Sequence, residues 1–285
     1  MSILVSPQEL KESIYHGDRF TLLGTHWQPK TGQSFIDFAS QHIPTALFGD
    51  TGAAFVGLPG SRNGRNPLPD EDKLQSWIRS WGLQEDRPVV VYDEGRGLFA
   101  GRAWWTLRWA GLTDVRILDG GLENWLAHGY QTLTGPGNIA VGSTFEVTPG
   151  QLPTATIDDV RKHDGVLIDT RSSNRFAGRR ENLDLKAGHI PGAVNVPERL
   201  FHNDGVRTLM SPDEIREVLA AAGLTQENTK DAIIYSGSGN HSALALAAME
   251  DAGFTGLRHY IGGWSQWSAD PTNPVERGDR TSVDD

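Results

Sequence analysis

Several short segments occur twice in this chain of 285 residues, and the second set follows the order of the first. Residues 42–46 read HIPTA, and residues 189–193 read HIPGA. Two further pairs keep that order: VVVY at 89–92 with IIY at 233–235, then DGGLENW at 119–125 with IGGWSQW at 261–267. One such pair could arise by chance, but three in register indicate a duplicated domain. Each copy then has about 140 residues, close to the commonest domain size.

The boundary between the copies is predicted from composition. Residues 134–155 read TGPGNIAVGSTFEVTPGQLPTA, which is rich in Gly, Pro and Thr and has no helical pattern. We therefore expect a first domain over 1–136, a linker over 137–151 and a second domain over 152–285.

Short apolar runs alternate with helical patterns in each half. The runs TLLGTHW, VVVYD and DVRILDG predict buried strands in the first half, and VLIDTR, AVNVP, AIIYS and GLRHYIGG do so in the second. Between them, SPDEIREVLAAAG has a Ser211 cap, a proline in its first turn and a closing Gly223, as a helix requires. Alternating strands and helices predict an α/β fold of two tandem domains, each a mostly parallel sheet flanked by helices.

Composition and charge exclude several classes of function. The net charge of −10 gives no basic surface for nucleic acid or an anionic membrane. The chain has no cysteine, which excludes disulfides, thiolate metal sites and any thiol mechanism. The N-terminal segment lacks the apolar core of a signal peptide, and no segment is apolar enough to cross a bilayer. By default we expect a cytoplasmic protein with neither a metal nor a cofactor.

The run IIYSGSGNHSALALAAM predicts a buried strand, a glycine-rich turn and a helix. Ligands of parallel sheets gather at the carboxyl ends of the strands, where this turn lies. Gly237 and Gly239 let the backbone curl, so that amide N–H groups from Gly237 to His241 converge at the helix N-terminus and bind an anion. A side chain at Ser236 would be held inside this cradle. An ordinary strand-to-helix turn explains the same residues about equally well.

The second half resembles the catalytic domain of the rhodanese-like sulfurtransferases. VLIDTRSSNRF, AGHIPGAVNVP, IIYSGSGNHSA and GGWSQWSADPTNPV follow that family in order and spacing, and HIPTALFGD, NGRNPLP and VVVYDEGRG resemble its non-catalytic N-terminal domain. The resemblance implies two tandem rhodanese-like domains. It also implies transfer of a sulfane sulfur from a small anionic donor, 3-mercaptopyruvate or thiosulfate, to cyanide or a thiol, a thioredoxin-like protein among the candidates.

The resemblance also implies roles for individual residues. Ser236 occupies the position of the sulfur-carrying cysteine, and the substrate-binding cradle comprises Gly237, Ser238, Gly239, Asn240 and His241. The Gly-Ser-Gly sequence resembles the 3-mercaptopyruvate branch. Arg175 matches the arginine that binds the donor's carboxylate or sulfonate. A second donor-binding arginine has no clear match, and Arg179 or Arg180 could take its place. Asp169 and Arg171 match a pair that we interpret as a structural, buried ion pair.

Two positions depart from the family pattern. Sulfur transfer needs a polarisable thiolate, whereas the hydroxyl of Ser236 keeps its proton at neutral pH. We therefore expect this chain to be inactive in sulfur transfer. In the family's 3-mercaptopyruvate branch a histidine of a proton relay stands where this chain has Asn66, and an amide cannot relay a proton. The aspartate of that relay would be Asp50, which we interpret as an ordinary capping or loop carboxylate.

The serine leaves two explanations open. It is either a replacement made in an otherwise active enzyme, or a natural feature of a non-catalytic homologue that acts as an anion-binding or interaction module. Asn66 slightly favours the second. A serine hydrolase is disfavoured, because neither Ser236 nor Ser238 lies in a G-x-S-x-G motif. A phosphatase of the cradle type is disfavoured as well, because its cysteine and its loop-ending arginine are both missing.

Overall fold

The computed structural model describes residues 2–28 and 32–279. The chain divides into two compact units, and each contains a parallel sheet. Unit 1 comprises residues 1–57, 69–151 and 203–209, and unit 2 comprises residues 58–68, 152–202 and 210–285. Residues 58–68, which lie in the sequence between two segments of unit 1, thus pack with the second unit.

Unit 1 contains a five-stranded sheet in the order β1-β5-β4-β2-β3, in which every pair of neighbouring strands is parallel. Its elements are β1 (Leu4–Val5), α1 (Pro7–His16), β2 (Thr21–His26), α2 (Gln33–Ser40), β3 (Leu47–Asp50), α3 (Thr51–Ala54), α4 (Glu71–Ser80), β4 (Val89–Tyr92), α5 (Leu98–Trp109), β5 (Val115–Leu118) and α6 (Gly121–Ala127). The central strands β2 and β4 are buried along their whole length, as sheets covered on two faces require.

Unit 2 contains a four-stranded parallel sheet in the order β7-β6-β8-β9. Its elements are α7 (Ile157–Lys162), β6 (Leu167–Asp169), α8 (Ser173–Phe176), β7 (Val194–Asn195), a 3-10 helix (Glu198–Phe201), α9 (Pro212–Ala221), β8 (Ile233–Tyr235), α10 (Asn240–Asp251), β9 (Arg258–Tyr260) and α11 (Gly263–Trp267). Its core packs Ile233, Tyr235 and Tyr260 of the strands against Phe176 and Trp264.

The predicted fold class and all seven predicted strands are confirmed. The structure adds the two-residue strand β1 and the strand β3, whose apolar run is interrupted by Gly49. The predicted helix α9 begins with a capping box in which Ser211 accepts from the amide of Glu214 and the Glu214 side chain accepts from the amide of Ser211. Gly223 follows this helix with a φ of 73°, which is the left-handed conformation that glycine favours.

Residues 137–151, predicted as a linker, run along unit 1. Asn138 donates its amide to the carbonyl of Ala46, and Thr148 donates its amide to the carbonyl of Ala110. The side chain of Gln75 binds the carbonyl of Phe145 and the amide of Val147. This extended segment thereby satisfies its backbone groups on one unit rather than in water.

Candidate active site

The loop between β8 and α10 surrounds the Ser236 hydroxyl. Gly239 adopts a left-handed φ of 88° and turns the chain into α10, so that its amide donates to Ser236 Oγ at 3.0 Å. The start of the loop is fixed to α11, because the Ser236 carbonyl accepts from the amide of Trp264 and the Gly237 carbonyl accepts from that of Ser265. The first amides of α10 have no intrahelical acceptor and point out of the helix end. An anion at this loop would meet their partial positive charge.

Two further polar side chains lie behind Ser236. Its Oγ is 3.1 Å from the Oγ of Ser242, in the first turn of α10. The same Ser242 Oγ is 2.7 Å from Nε2 of His259 on β9. All three residues are fully buried. The candidate nucleophile position is therefore the outer end of a hydrogen-bonded chain that leads into the core of unit 2.

Two arginines converge on Gly237. A β-carbon at Gly237 would lie 3.0 Å from Nη2 of Arg65 and 3.2 Å from Nη1 of Arg175. A β-carbon there would require both guanidinium groups to shift by a few tenths of an ångström. Arg175 was predicted from the sequence as a donor-binding residue, whereas Arg65 was not.

Two buried carboxylates hold these arginines in place. Asp184 pairs with Arg65 through one oxygen and with Arg175 at 2.9 Å through the other. Glu181 accepts from Arg175 Nη2 at 3.0 Å with each of its oxygens. Burial by itself raises the pKa of Glu181, but the amide of Leu183 and the Arg175 guanidinium outweigh it and hold that pKa below its usual value. The Glu181 carboxylate is therefore ionised at neutral pH.

Other predicted loop residues have partners of their own. Ser238 Oγ accepts a hydrogen bond from the side-chain amide of Asn66 at 2.8 Å. His241 is half-exposed and binds the buried carboxylate of Glu198 through Nδ1 at 2.9 Å. The second oxygen of Glu198 contacts His202 Nε2 at 2.5 Å. Burial raises the pKa of Glu198, but the hydrogen bonds from His202 and His241 bring it down to about 2.

The structure places Arg179 away from this loop. Its guanidinium pairs with Asp279, and both side chains are more than half exposed. The nearby chain instead turns back at Glu181, which accepts from the amides of Asn182, Leu183 and Asp184. Among the predicted site residues, the structure thus brings Arg175 to the loop of Ser236 to His241 and leaves Arg179 apart from it, and it adds Arg65 beside Gly237.

Several residues of this site were missed from the sequence. Arg65 lies beside Asn66 in the NGRNPLP segment. That segment was recognised in the sequence, but it was assigned to the N-terminal domain rather than to this site. The carboxylates of Glu181 and Asp184 and the pair Ser242 and His259 carry no motif of their own.

The interpretation of Asp169 and Arg171 as a structural ion pair is confirmed. The two side chains are fully buried, and Arg171 donates to Asp169 from Nε and from Nη2, the latter at 2.6 Å. Burial lowers the pKa of Arg171, but the Asp169 carboxylate more than reverses this. The guanidinium also lies over the Trp264 ring at 4.6 Å, so the pair supports the helix that anchors the loop. The interpretation of Asp50 is confirmed too, because its carboxylate caps α3 by accepting from the amide of Ala53.

The corresponding loop of unit 1 is occupied by its own carboxylate. Asp93, at the end of β4, accepts at 2.9 Å from the amides of Gly95 and Gly97. Its other oxygen accepts from the amides of Phe99 and Ala100 at 3.0 and 3.4 Å. A carboxylate of the chain itself therefore fills this loop, whereas the corresponding position of unit 2 holds the neutral hydroxyl of Ser236. A mobile anion would have to displace that carboxylate.

Within residues 2–28 and 32–279, no group of three histidine or acidic side chains is arranged to bind a metal ion. Over the same residues, no helix has the length and apolar character needed to span a membrane.

Comparison with known proteins places this architecture in a family. The rhodanese-like domain matches residues 27–128 and 154–270. A Mycobacterium tuberculosis protein, provisionally named thiosulfate sulfurtransferase SseB, is 34% identical over 97% of each chain. A Pseudomonas aeruginosa protein named probable 3-mercaptopyruvate sulfurtransferase is 37% identical over 85% of this chain and 86% of the relative. The crystal structure of the 3-mercaptopyruvate enzyme SseA from Escherichia coli superposes with a TM-score of 0.79 at 26% identity, covering 93% of this chain and 100% of SseA. The chain therefore belongs to the rhodanese-like domain family.

Proposed function

We propose that the loop 236–241 binds a small anionic sulfur donor, and that the site is built for sulfur transfer with residue 236 as the carrier. The observation that carries this proposal is the convergence of Arg65 and Arg175 on Gly237, directly beside Ser236. Planar guanidinium groups suit bidentate binding of a carboxylate or sulfonate. The cradle amides would face the sulfur end of the same molecule.

The geometry fits a donor with two poles. In 3-mercaptopyruvate a carboxylate lies a few bonds from the sulfur, so the carboxylate would bind the arginines while the sulfur reaches residue 236. In thiosulfate, the sulfonate-like group would bind the arginines in place of the carboxylate. The Gly-Ser-Gly sequence at 237–239 favours 3-mercaptopyruvate. The acceptor would be cyanide or a thiol, including that of a thioredoxin-like protein, and no cofactor is needed because the loop supplies the electrostatic stabilisation. A cytoplasmic location stays a prediction.

Ser236 limits what this chain does with such a donor. In the family reaction a cysteine thiolate attacks the outer sulfur, the bond from that sulfur to the donor breaks, and a persulfide remains on the loop. A protonated serine hydroxyl is a poor nucleophile towards sulfur, and an oxygen–sulfur adduct would be labile. We expect the Ser236 chain to bind the donor without turnover.

The second candidate function is a non-catalytic anion-binding or interaction module. The hydrogen bond from Asn66 to Ser238 favours it, since the amide satisfies the Ser238 hydroxyl without being able to move a proton. In this reading the serine is natural, and binding of the anion is itself the function.

The deciding experiment compares this chain with its Ser236→Cys form in sulfur transfer from 3-mercaptopyruvate and from thiosulfate to cyanide. Because the chain has no cysteine, the variant carries a single thiol. Turnover by the Cys form alone would support an intact sulfur-transfer site, and the preferred donor would identify the branch. If the Cys form binds either donor without turnover, the binding module is favoured. If neither form binds a donor, both proposals fail.

A further inference from the structure

Ser236, Ser242 and His259 form a continuous hydrogen-bonded chain in the interior of unit 2. The oxygen–oxygen distance between the two serines is 3.1 Å, and Ser242 Oγ lies 2.7 Å from Nε2 of His259. The three residues are fully buried, so no bulk water competes for these hydrogen bonds. Hydrogen bonds in such surroundings are stronger than they are in water.

The protons available to the two hydroxyls and the imidazole restrict which group donates and which accepts in these hydrogen bonds. Each hydroxyl donates one hydrogen bond, and a neutral imidazole has one nitrogen that donates and one that accepts. When His259 Nε2 accepts, Ser242 donates to it and Ser236 donates to Ser242. When Nε2 carries a proton, it donates to Ser242, and Ser242 is then free to donate to residue 236. The state of His259 thus decides whether position 236 faces an acceptor or a donor.

A sulfur carrier at position 236 needs the arrangement in which Ser242 donates to it. A thiolate or persulfide has no proton, so it is stabilised by a donor in Ser242 and destabilised by an acceptor there. The amide of Gly239 already donates to position 236 at 3.0 Å. A second donor from Ser242 would complete the stabilisation on the inner side of the loop.

We propose that Ser242 and His259 are positioning residues that form a proton relay behind position 236. The proposal rests on the proposed function, in that it takes position 236 as the carrier. In the Ser236→Cys chain, the thiol proton moves to Ser242 Oγ while the Ser242 proton moves to Nε2 of His259. One S–H bond breaks, one N–H bond forms, and a thiolate and an imidazolium result. In the Ser236 chain the hydroxyl keeps its proton and donates inward.

The other charged groups near the loop stay constant in the test. Arg65 and Arg175 face Gly237 from the outer side, with Asp184 and Glu181 as their counter-ions. His241, on α10, is paired with Glu198. On β9, Arg258 is paired with Asp159 and Asp231. None of these residues is changed in the variants, so a difference between variants reports on the relay.

The experiment measures the pH dependence of thiolate ultraviolet absorbance in the full chain carrying Ser236→Cys, because absorbance needs no reagent to reach the buried position. Its single thiol makes the signal, taken as the difference from the Ser236 chain, specific to position 236. We expect a midpoint below the ordinary thiol value of about 8.5. Adding Ser242→Ala or His259→Gln should raise this midpoint by about one pH unit, a loss of roughly tenfold in thiolate at neutral pH. Ser242→Thr keeps a hydroxyl and should restore the low midpoint.

Ser268→Ala is the matched control, because Ser268 is a buried serine of the same unit whose hydroxyl has no hydrogen-bond partner among the described residues. Its midpoint should equal that of Ser236→Cys alone. Equal midpoints in all variants would overturn the relay, and a shift with Ser242→Ala but not with His259→Gln would overturn the role of His259. Thermal unfolding of each variant checks that it is folded.

A second measurement needs no further buried substitution. Nitrogen-15 NMR of the histidines should find Nε2 of His259 without a proton in the Ser236 chain and protonated in the Ser236→Cys chain. The same state in both chains would contradict the relay. Neither the titration of position 236 nor the NMR measurement involves a sulfur donor. The relay and the proposed sulfur transfer can therefore be contradicted independently of each other. Shifted midpoints without turnover would remove the proposed function alone, and turnover that is insensitive to Ser242→Ala would remove the relay alone.

Discussion

Arg65 and Arg175 share one buried carboxylate. Asp184 pairs with Arg65 through one oxygen and accepts from Arg175 at 2.9 Å with the other. Arginine side chains are long and flexible, and the shared carboxylate removes much of that freedom before any ligand arrives. Preorganisation of this kind improves affinity mainly by reducing the entropy lost on binding.

We expect Arg65→Gln and Arg175→Gln each to weaken binding of thiosulfate and of 3-mercaptopropionate by about tenfold or more, because each removes a charged, bidentate donor. Isothermal titration calorimetry at low salt measures the effect. Arg179→Gln is the comparison, since Arg179 is exposed and paired with Asp279. It should leave the affinity unchanged, and an equal loss with Arg179→Gln would instead support the donor-binding role predicted for it from the sequence.

Asp93→Ala should destabilise unit 1 by about 2 kcal/mol, because buried amides lose a charged acceptor. The emptied cradle should then bind an added anion. Sulfate should therefore raise the thermal midpoint of Asp93→Ala more than that of the parent chain, as mass action requires. Asp18→Ala, at an exposed aspartate, is the control. An identical sulfate effect in the parent and in Asp93→Ala would show that the unit 1 loop does not bind anions even when its carboxylate is gone.

Glu198 should make folding stability depend on acidic pH. Burial raises the pKa of its carboxyl, but the hydrogen bonds from His202 and His241 outweigh burial and lower that pKa from an ordinary 4.5 to about 2. A carboxyl whose pKa is depressed by folding stabilises the folded state above its unfolded pKa, and that stabilisation is lost as pH falls through the folded value. We expect about 3 kcal/mol to disappear between about pH 4.5 and pH 2. When the free energy of unfolding is measured with urea across this range, it should depend less steeply on pH in Glu198→Gln than in the parent chain. Parallel curves for the two chains would contradict the prediction.

The ion pair of Asp169 and Arg171 should be essential to the stability of unit 2. Asp169→Asn leaves the buried Arg171 guanidinium with only the more distant carboxylate of Glu181, 3.8 Å away, and loss of a buried ionic partner typically costs about 3–5 kcal/mol. The exposed pair of Arg79 and Glu146 provides the contrast. Glu146→Gln should change the free energy of unfolding by less than about 1 kcal/mol. Denaturant titration of both variants measures the difference, and equal effects would mean that Arg171 finds another acceptor or water.

The sequence by itself determined the duplication, the strands other than β1 and β3, the helices α9 and α10, and the loop that should carry the chemistry. These features are local: apolar runs predict buried strands, Ser211 and Gly223 mark the ends of a helix, and Gly239 allows the left-handed turn into α10. The resemblance to a known family added Ser236 and Arg175.

Only the tertiary structure decided which distant side chains surround that loop. Arg65 packs with unit 2 although it precedes most of unit 1 in the sequence, and sequence reasoning considered Arg179 instead. Ser242 on α10 meets His259 on β9 only because the helix packs against the sheet. The physical reason is common to these cases. A periodic pattern specifies an element and its buried face, but hydrogen bonds and ion pairs between elements depend on distances of a few ångströms that are set when the elements pack.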